Sequence, residues 1–289
     1  MESAWAMAIA TGVCNGGVAL AGKAAERGRC RPAVYALVTF VVAGAVAYAT
    51  TLGRGVTWGS GALWCFGLLM GGLYLVAIGA MVLANRHWTP SLVWGTANMG
   101  FVMPILLSAR LLNEDLRVMD GAIVLGVGLM LAGLAVGGAT AGSAADEASA
   151  TAWRRWGLLA VVFVANGLLM FGFKLFARVL PEAHPASLIA AIYGCAALLA
   201  AGWAGRGLTT LKRAELACGL GAGAASALAG LAMLGAMSLP AAAAFPVIQG
   251  ISLLGGVLLC ALVFGERLTA RKCAALSVGV LALAMTRWR

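Results

Sequence analysis

Charge is what this chain has least of. Only 10% of its 289 residues are Asp, Glu, Lys or Arg, against about 25% in an ordinary soluble domain. Histidine is scarcer still, with His87 and His184 alone, both in polar connecting stretches. The seven cysteines (Cys14, Cys30, Cys65, Cys195, Cys218, Cys260, Cys273) form no C-x-x-C pair, and six lie in or beside apolar runs, where they serve as small packing residues. There is no H-E-x-x-H and no Cys/His cluster. The one near match to G-x-S-x-G, Gly250-Ile-Ser252-Leu-Leu-Gly255, is a residue too long. With no histidine inside a run to activate a serine, membrane-embedded catalysis has no machinery. These absences argue against an enzyme, a metal site and a cofactor.

What is present is apolar. Hydrophobic residues make up 62% of the chain and mean hydropathy is +0.97. Uncharged runs of about 20 residues recur, each enough to cross about 30 Å of hydrocarbon at a rise of about 1.5 Å per residue. The runs are continuous rather than alternating, which favours helices over a β-barrel. The net charge of +10 comes from 20 Lys and Arg set almost entirely between runs. There they meet lipid headgroups and set topology, so the partner they imply is the bilayer and not nucleic acid. The first run carries Glu2, lacks a basic leader and is reused after Trp156, unlike a cleaved signal peptide.

Polar punctuation divides the chain into ten spans, near 4–23, 33–53, 60–84, 90–112 and 118–139, then 156–176, 186–204, 214–237, 241–264 and 270–286. The fold class expected is an all-α membrane protein. Trp5, Val13, Asn15, Gly16, Lys23 and Arg27 recur at a constant offset of 151 as Trp156, Val164, Asn166, Gly167, Lys174 and Arg178. Pro32 matches Pro185 at an offset of 153, while Glu114 and Leu116 match Glu266 and Leu268 at 152. The chain thus reads as a duplication: a first five-helix repeat over 1–139, an Ala/Ser/Thr-rich linker over 140–155 and a second repeat over 156–289. Five is odd, so the second copy enters the membrane from the opposite face and the repeat is inverted, a mark of secondary transporters. Asn15 lies about 15 Å along its helix from Trp5 and Lys23 about 27 Å. Both asparagines therefore reach the midplane, and the lysines reach opposite interfaces. Close helix packing is offered by the pairs Gly67/Gly71, Gly133/Gly137 and Gly219/Gly223. Pro104 and Pro246 fall inside spans as potential kinks, but do not superpose under the repeat.

Two five-span halves, each with a Glu-x-Leu corner before a Gly-bearing last helix, resemble the drug/metabolite transporter superfamily, and within it the EamA-type exporters. The second half carries the fuller signature, Pro246 followed by GVLLCALVFGERLTARKCAALSVGVLAL over 256–283; the first has the looser NEDLRVMDGAIVLGVGLMLAGL. The resemblance implies a carrier of small organic molecules working by alternating access. It narrows the mechanism more than the substrate.

Asn15 and Asn166 have two roles open to them, lining a cavity or joining helices by amide hydrogen bonds. Tyr74, Trp94, Asn98, Tyr193, Gln249 and Ser252 also lie near mid-span, with Ser226, and offer aromatic walls and neutral polar groups. Lys23 and Lys174 read as snorkelling to the interfaces, with counter-charge for an anionic substrate the alternative. Glu114 and Glu266 read as structural corners that cap the next helix. All ten acidic residues fall in loops or at span ends. Small multidrug-resistance relatives place a glutamate where this chain has Asn15, so proton-coupled cation antiport is disfavoured. The substrate expected is neutral or zwitterionic, such as an amino acid. The alternatives are a flippase for a lipid-linked sugar and a membrane scaffold or sensor without transport. The carrier is expected as a monomer or homodimer, and the basic, Ala/Gly-rich composition points to a bacterial inner membrane. Orientation stays open: thirteen Lys and Arg lie on one side and seven on the side of the termini, which puts the termini outside, opposite to the arrangement the resemblance implies.

Overall fold

The structure is a computed structural model, and it describes residues 2–52, 58, 61–84, 87–88, 90–115, 121–122, 124–129, 149–180, 183–205, 210–265 and 270–284. No strand occurs among them. The helices are α1 (Glu2–Arg27), α2 (Pro32–Ala49), α3 (Gly61–Ala84), α4 (Pro90–Met99), α5 (Val102–Leu111), α6 (Ser149–Val179), α7 (Pro185–Ala204), α8 (Arg213–Ala236), α9 (Ala241–Phe264) and α10 (Ala270–Ala284). Among the described residues, seven helices are long and apolar enough to cross a membrane. The chain is an all-α protein with multi-pass membrane character.

Local chemistry explains where helices begin and break. Pro32 and Pro185 each occupy a first turn, where a missing N–H costs nothing. The residue before each, Arg31 (ψ 123°) and His184 (ψ 130°), is extended as a proline requires. The His184 ring accepts from the Ala186 N–H at 3.2 Å and caps α7. The fourth expected span is not one helix but two, α4 and α5, parted at Gly100 and Phe101. Pro104 is the cause: its ring conflicts with the carbonyl four residues back, that of Gly100. Pro246 sits in the second turn of α9, which continues through it. The segment read as a linker is partly helix, since α6 already starts at Ser149. Most of the fifth span, and with it Gly133 and Gly137, lies outside the described residues; 121–122 and 124–129 are helical.

The helices are apolar all round, and many large side chains point outward, Leu262 81% and Leu198 77% exposed. Others, among them Phe40, Phe101, Tyr193 and Phe245, fill the core, and small residues at the crossings let backbones touch. α1 packs along α8 and α9; α6 along α3, α4 and α5; α2 along α7 and α8; α7 along α2 and α3. A Cβ on Gly67 would lie 2.8 Å from Ala191 Cβ, and one on Gly71 2.7 Å from the Ile192 carbonyl, so α3 needs both glycines to reach α7. On α8, Gly223 would meet the Thr39 carbonyl of α2 at 2.6 Å. Gly16 does the same for α1 against the α9 backbone at Gly255 and Gly256. Met7, near the start of α1, adjoins Gly235, near the end of α8. The end of the bundle holding the N-terminus, here the near end, therefore also holds the α8–α9 turn.

Candidate functional site

Two polar clusters form inside the bundle. The first joins α2, α3, α7 and α8. The Tyr193 hydroxyl donates to the Ser226 carbonyl at 3.1 Å and lies 3.4 Å from the Tyr74 hydroxyl. The two tyrosine rings are 5.4 Å apart, and Phe40 closes the group, edge-on to Tyr74 at 5.6 Å and 6.1 Å from Tyr193. Tyr193 is fully enclosed and Tyr74 is partly buried, and their two hydroxyls meet inside the bundle.

The second cluster joins α4, α6 and α9. Asn166 Nδ2 donates to the Ala97 carbonyl on the last turn of α4, beside the break. Asn98, buried, donates to its own helix at the Trp94 carbonyl, 2.7 Å away. One turn beyond Asn166, Met170 Sδ accepts from Gln249 Nε2 at 3.1 Å, and Ser252 is buried one turn further along α9. Asn166 therefore performs the joining role. Asn15 does not mirror it: half-buried on α1, it makes no hydrogen bond among the described residues. The half-buried Trp94 ring lies against α1, its Cζ2 3.6 Å from where a Cβ on Gly22 would sit, with the Tyr35 hydroxyl 3.9 Å from the same point. Of the eight residues expected at a site, Tyr74 and Tyr193 touch. Asn166, Asn98, Trp94, Gln249 and Ser252 share the α4–α6–α9 meeting, and Asn15 stands on α1.

The charged residues depart further from expectation. Lys174 does not snorkel. It is 7% exposed and its ammonium is fully engaged, by Glu114 at 2.7 Å and by the carbonyls of Met237 at 2.9 Å and Leu239 at 2.6 Å. Glu114 caps a helix, α9, accepting from the Ala241 N–H at 2.7 Å; the start of the helix next in sequence lies outside the described residues. The turn that aims Glu114 there depends on Asn113, whose φ of 54° is left-handed, a region asparagine tolerates. Gly265, the residue before Glu266, shares it with φ 66°; Glu266 itself lies outside the described residues.

At the far end, Glu215 in the first turn of α8 is completely buried. Its carboxylate takes a fork from Arg31, Nε at 2.8 Å and Nη2 at 2.7 Å, and the Arg31 backbone N–H at 3.0 Å. Arg31 also binds the Thr210 hydroxyl at 3.2 Å and the Thr210 carbonyl. The hydrogen bonds to Glu215 push the Arg31 guanidinium pKa above its ordinary value. Burial, with the Cys218 thiol and Glu215 alongside, pushes the Cys30 thiol up. Further along this end, Lys23 and Arg27 face the Phe264 ring at 5.9 and 4.2 Å. A cavity of about 540 Å³ opens between α2, α3 and α7, lined by Arg31, Leu75, Gly79, Leu83 and Trp203 among others. None of the eight expected residues lines it.

No family model matches this chain and no curated protein matches it. Solved structures do, 28 chains in all. One of these, described only as "Crystal structure of protein", superposes with a TM-score of 0.79 at 20% identity, covering 100% of this chain and 97% of its own. The likeness shows a shared fold. It extends over the whole chain and says nothing of the solute.

Four further residues build these sites with little in the sequence to single them out. Phe40 and Met170 are apolar residues inside apolar runs. Tyr35 and Glu215 sit within a few residues of basic loops. One signal was available for Glu215: a lone carboxylate between Arg213 and the following apolar run invites a partner.

Proposed function

We propose that this chain is a secondary carrier of the EamA-like drug/metabolite type, built as two inverted five-helix halves. On this reading it exports a small polar solute, neutral or zwitterionic, such as an amino acid. The observation that carries the reading is the exchange symmetry of helix pairing. Advance each helix by one repeat and α1 on α8 and α9 becomes α6 on α3 and α4, while α2 on α8 becomes α7 on α3. The paired glycines exchange too: Gly67 and Gly71 correspond to Gly219 and Gly223, each pair pressed on the helix its counterpart would predict. Phe40 corresponds to Tyr193, and the two touch. Equivalent residues in contact lie on the two-fold axis, which in an inverted repeat runs in the membrane plane. The first cluster thereby falls at the midplane, where carriers of this architecture bind their solutes.

The site's chemistry supports the substrate class. Asn15, Trp94, Tyr74 and Asn166 are half-buried, and Asn98, Tyr193, Gln249 and Ser252 are buried. All are neutral. Among the described residues no carboxylate lies mid-helix, so a lone cation finds no counter-charge. The flippase alternative draws on the lateral cavity at Arg31, but Glu215 neutralises that arginine.

The test is a thermal-shift panel on purified protein with neutral amino acids, sugars, nucleosides, choline-like cations and dicarboxylates, followed by flux in proteoliposomes. Ligand bound to the folded state raises its stability by about 2.7 kcal/mol at a hundredfold excess over Kd. One neutral or zwitterionic class is expected to stabilise the protein and to be carried. Asn15→Ala with Asn166→Ala should abolish that stabilisation. Stabilisation by cations alone overturns the substrate class; no flux of any solute overturns the carrier.

A further inference from the structure

We infer that Lys174 and Glu114 hold a latch at the near end of the bundle, and that its release is a step in the transport cycle. The inference rests on the carrier reading above. The packing divides most of the bundle into two groups, α3 to α6 on one side and α1, α8 and α9 on the other, with α2 and α7 running between. Direct contact between the groups is slight: α5 meets α9 and α6 meets α8 briefly, Gln249 of α9 bonds Met170 of α6, and the Trp94 ring of α4 lies against α1. The near-end cluster spans this gap. Lys174 and Glu114 belong to the first group and bind each other at 2.7 Å. What they reach across to is backbone of the second group, the Met237 and Leu239 carbonyls and the Ala241 N–H.

That division of labour makes the contact reversible. The ammonium has three donors and three acceptors, so the closed arrangement leaves none unmet. The polarity also fits: carbonyls leaving α8 carry partial negative charge toward Lys174, and the first N–H of α9 carries partial positive charge toward Glu114. When the groups part, the ion pair stays whole within its own group. Only backbone groups lose a partner, at an end where water replaces it. An ion pair split between the groups would instead strand two charges at each opening.

The test places spin labels at Asp115→Cys and Ser238→Cys, exposed positions beside Glu114 and Leu239, with the native cysteines replaced. Distances are read by pulsed electron paramagnetic resonance in vesicles, where no substrate is needed. With Lys174 and Glu114 intact, one short population is expected. In Lys174→Met a second, longer population should appear while the protein stays monodisperse; an unchanged distribution overturns the latch. Glu114→Gln, which keeps an acceptor for Ala241 but removes the charge beside Lys174, is the milder variant and should shift the same way. The exchange Lys174→Glu with Glu114→Lys should not restore closure. A glutamate faces the two carbonyls with no donor, and a lysine offers the Ala241 N–H no acceptor. Restoration overturns the assignment of cross-group bonds. Wild-type flux in Lys174→Met with unmoved distances refutes the latch alone; shifted distances in a protein whose wild type carries no solute refute the carrier reading, and with it the transport step, while the closing contact itself stands.

Discussion

At the scale of single residues, the strongest contacts are those whose geometry a look-alike side chain cannot reproduce. Arg31 is the clearest case, since its fork serves both oxygens of a fully buried carboxylate and reaches Thr210 as well. A lysine keeps the charge but is a single point, able to meet one or two of those acceptors at once. Arg31→Lys should lower unfolding stability in mild detergent by about 2 kcal/mol, the worth of a lost hydrogen bond to a charged group. Arg213→Lys, an exposed change one helical turn from Thr210, should leave it within about 0.5 kcal/mol. Equal effects from the two would show that the fork contributes nothing. The identity of Arg31 was visible in the sequence as one of a basic run; its partner was not, because Glu215 lies 184 positions away. Lys174 misled for the same reason. A lysine at a span end has a ready explanation in the interface, and its carbonyl partners sit 63 and 65 residues downstream.

At the scale of helices, spacing carried more information than side-chain type. Gly67/Gly71 and Gly219/Gly223 were legible as packing pairs, and the structure gives each a specific partner helix. The same spacing marks which glycines are dispensable. Gly223→Leu puts a Cβ 2.7 Å from Val42 Cβ as well as 2.6 Å from the Thr39 carbonyl, so α8 must retreat from α2, at about 1–3 kcal/mol for such overpacking. Gly72→Ala, beside an essential glycine, meets nothing within 4 Å and should change stability by less than about 0.5 kcal/mol. Denaturation of the two variants side by side checks the pair, and a Gly72→Ala loss as large as that of Gly223→Leu would sink the argument. Pro104 was legible as a kink but not as a break, because a proline's effect depends on what receives the freed carbonyl. Here Asn166 donates to Ala97, three residues before Gly100, and holds the end of α4 in place. Pro246 lacks such a consequence because it falls in the second turn, with little helix before it to displace.

For the whole molecule, the repeat was written into the sequence at three offsets, yet the pairing it produces could not be read from either copy. Helices α1 to α9 pack mainly across the two halves of the sequence, as α1 does on α8 and α9, so the halves interlock. On the proposed carrier reading, the bundle changes shape by tilting its two groups about the helices between them, and the ends open in turn, which distinguishes a carrier from a pore. Cross-linking Asp115→Cys to Ser238→Cys with a short bifunctional maleimide pins the near end, where Glu114 already meets Ala241. Flux in proteoliposomes should stop, while the stabilising solute should still raise the melting temperature, because the midplane groups remain reachable from the far end. Reducing a cleavable version of the same linker should bring flux back. A scaffold or sensor predicts no flux to lose. A pore gated elsewhere predicts that flux persists through the pinned end, since the link joins only the rim at positions 115 and 238 and leaves the passage between the groups free.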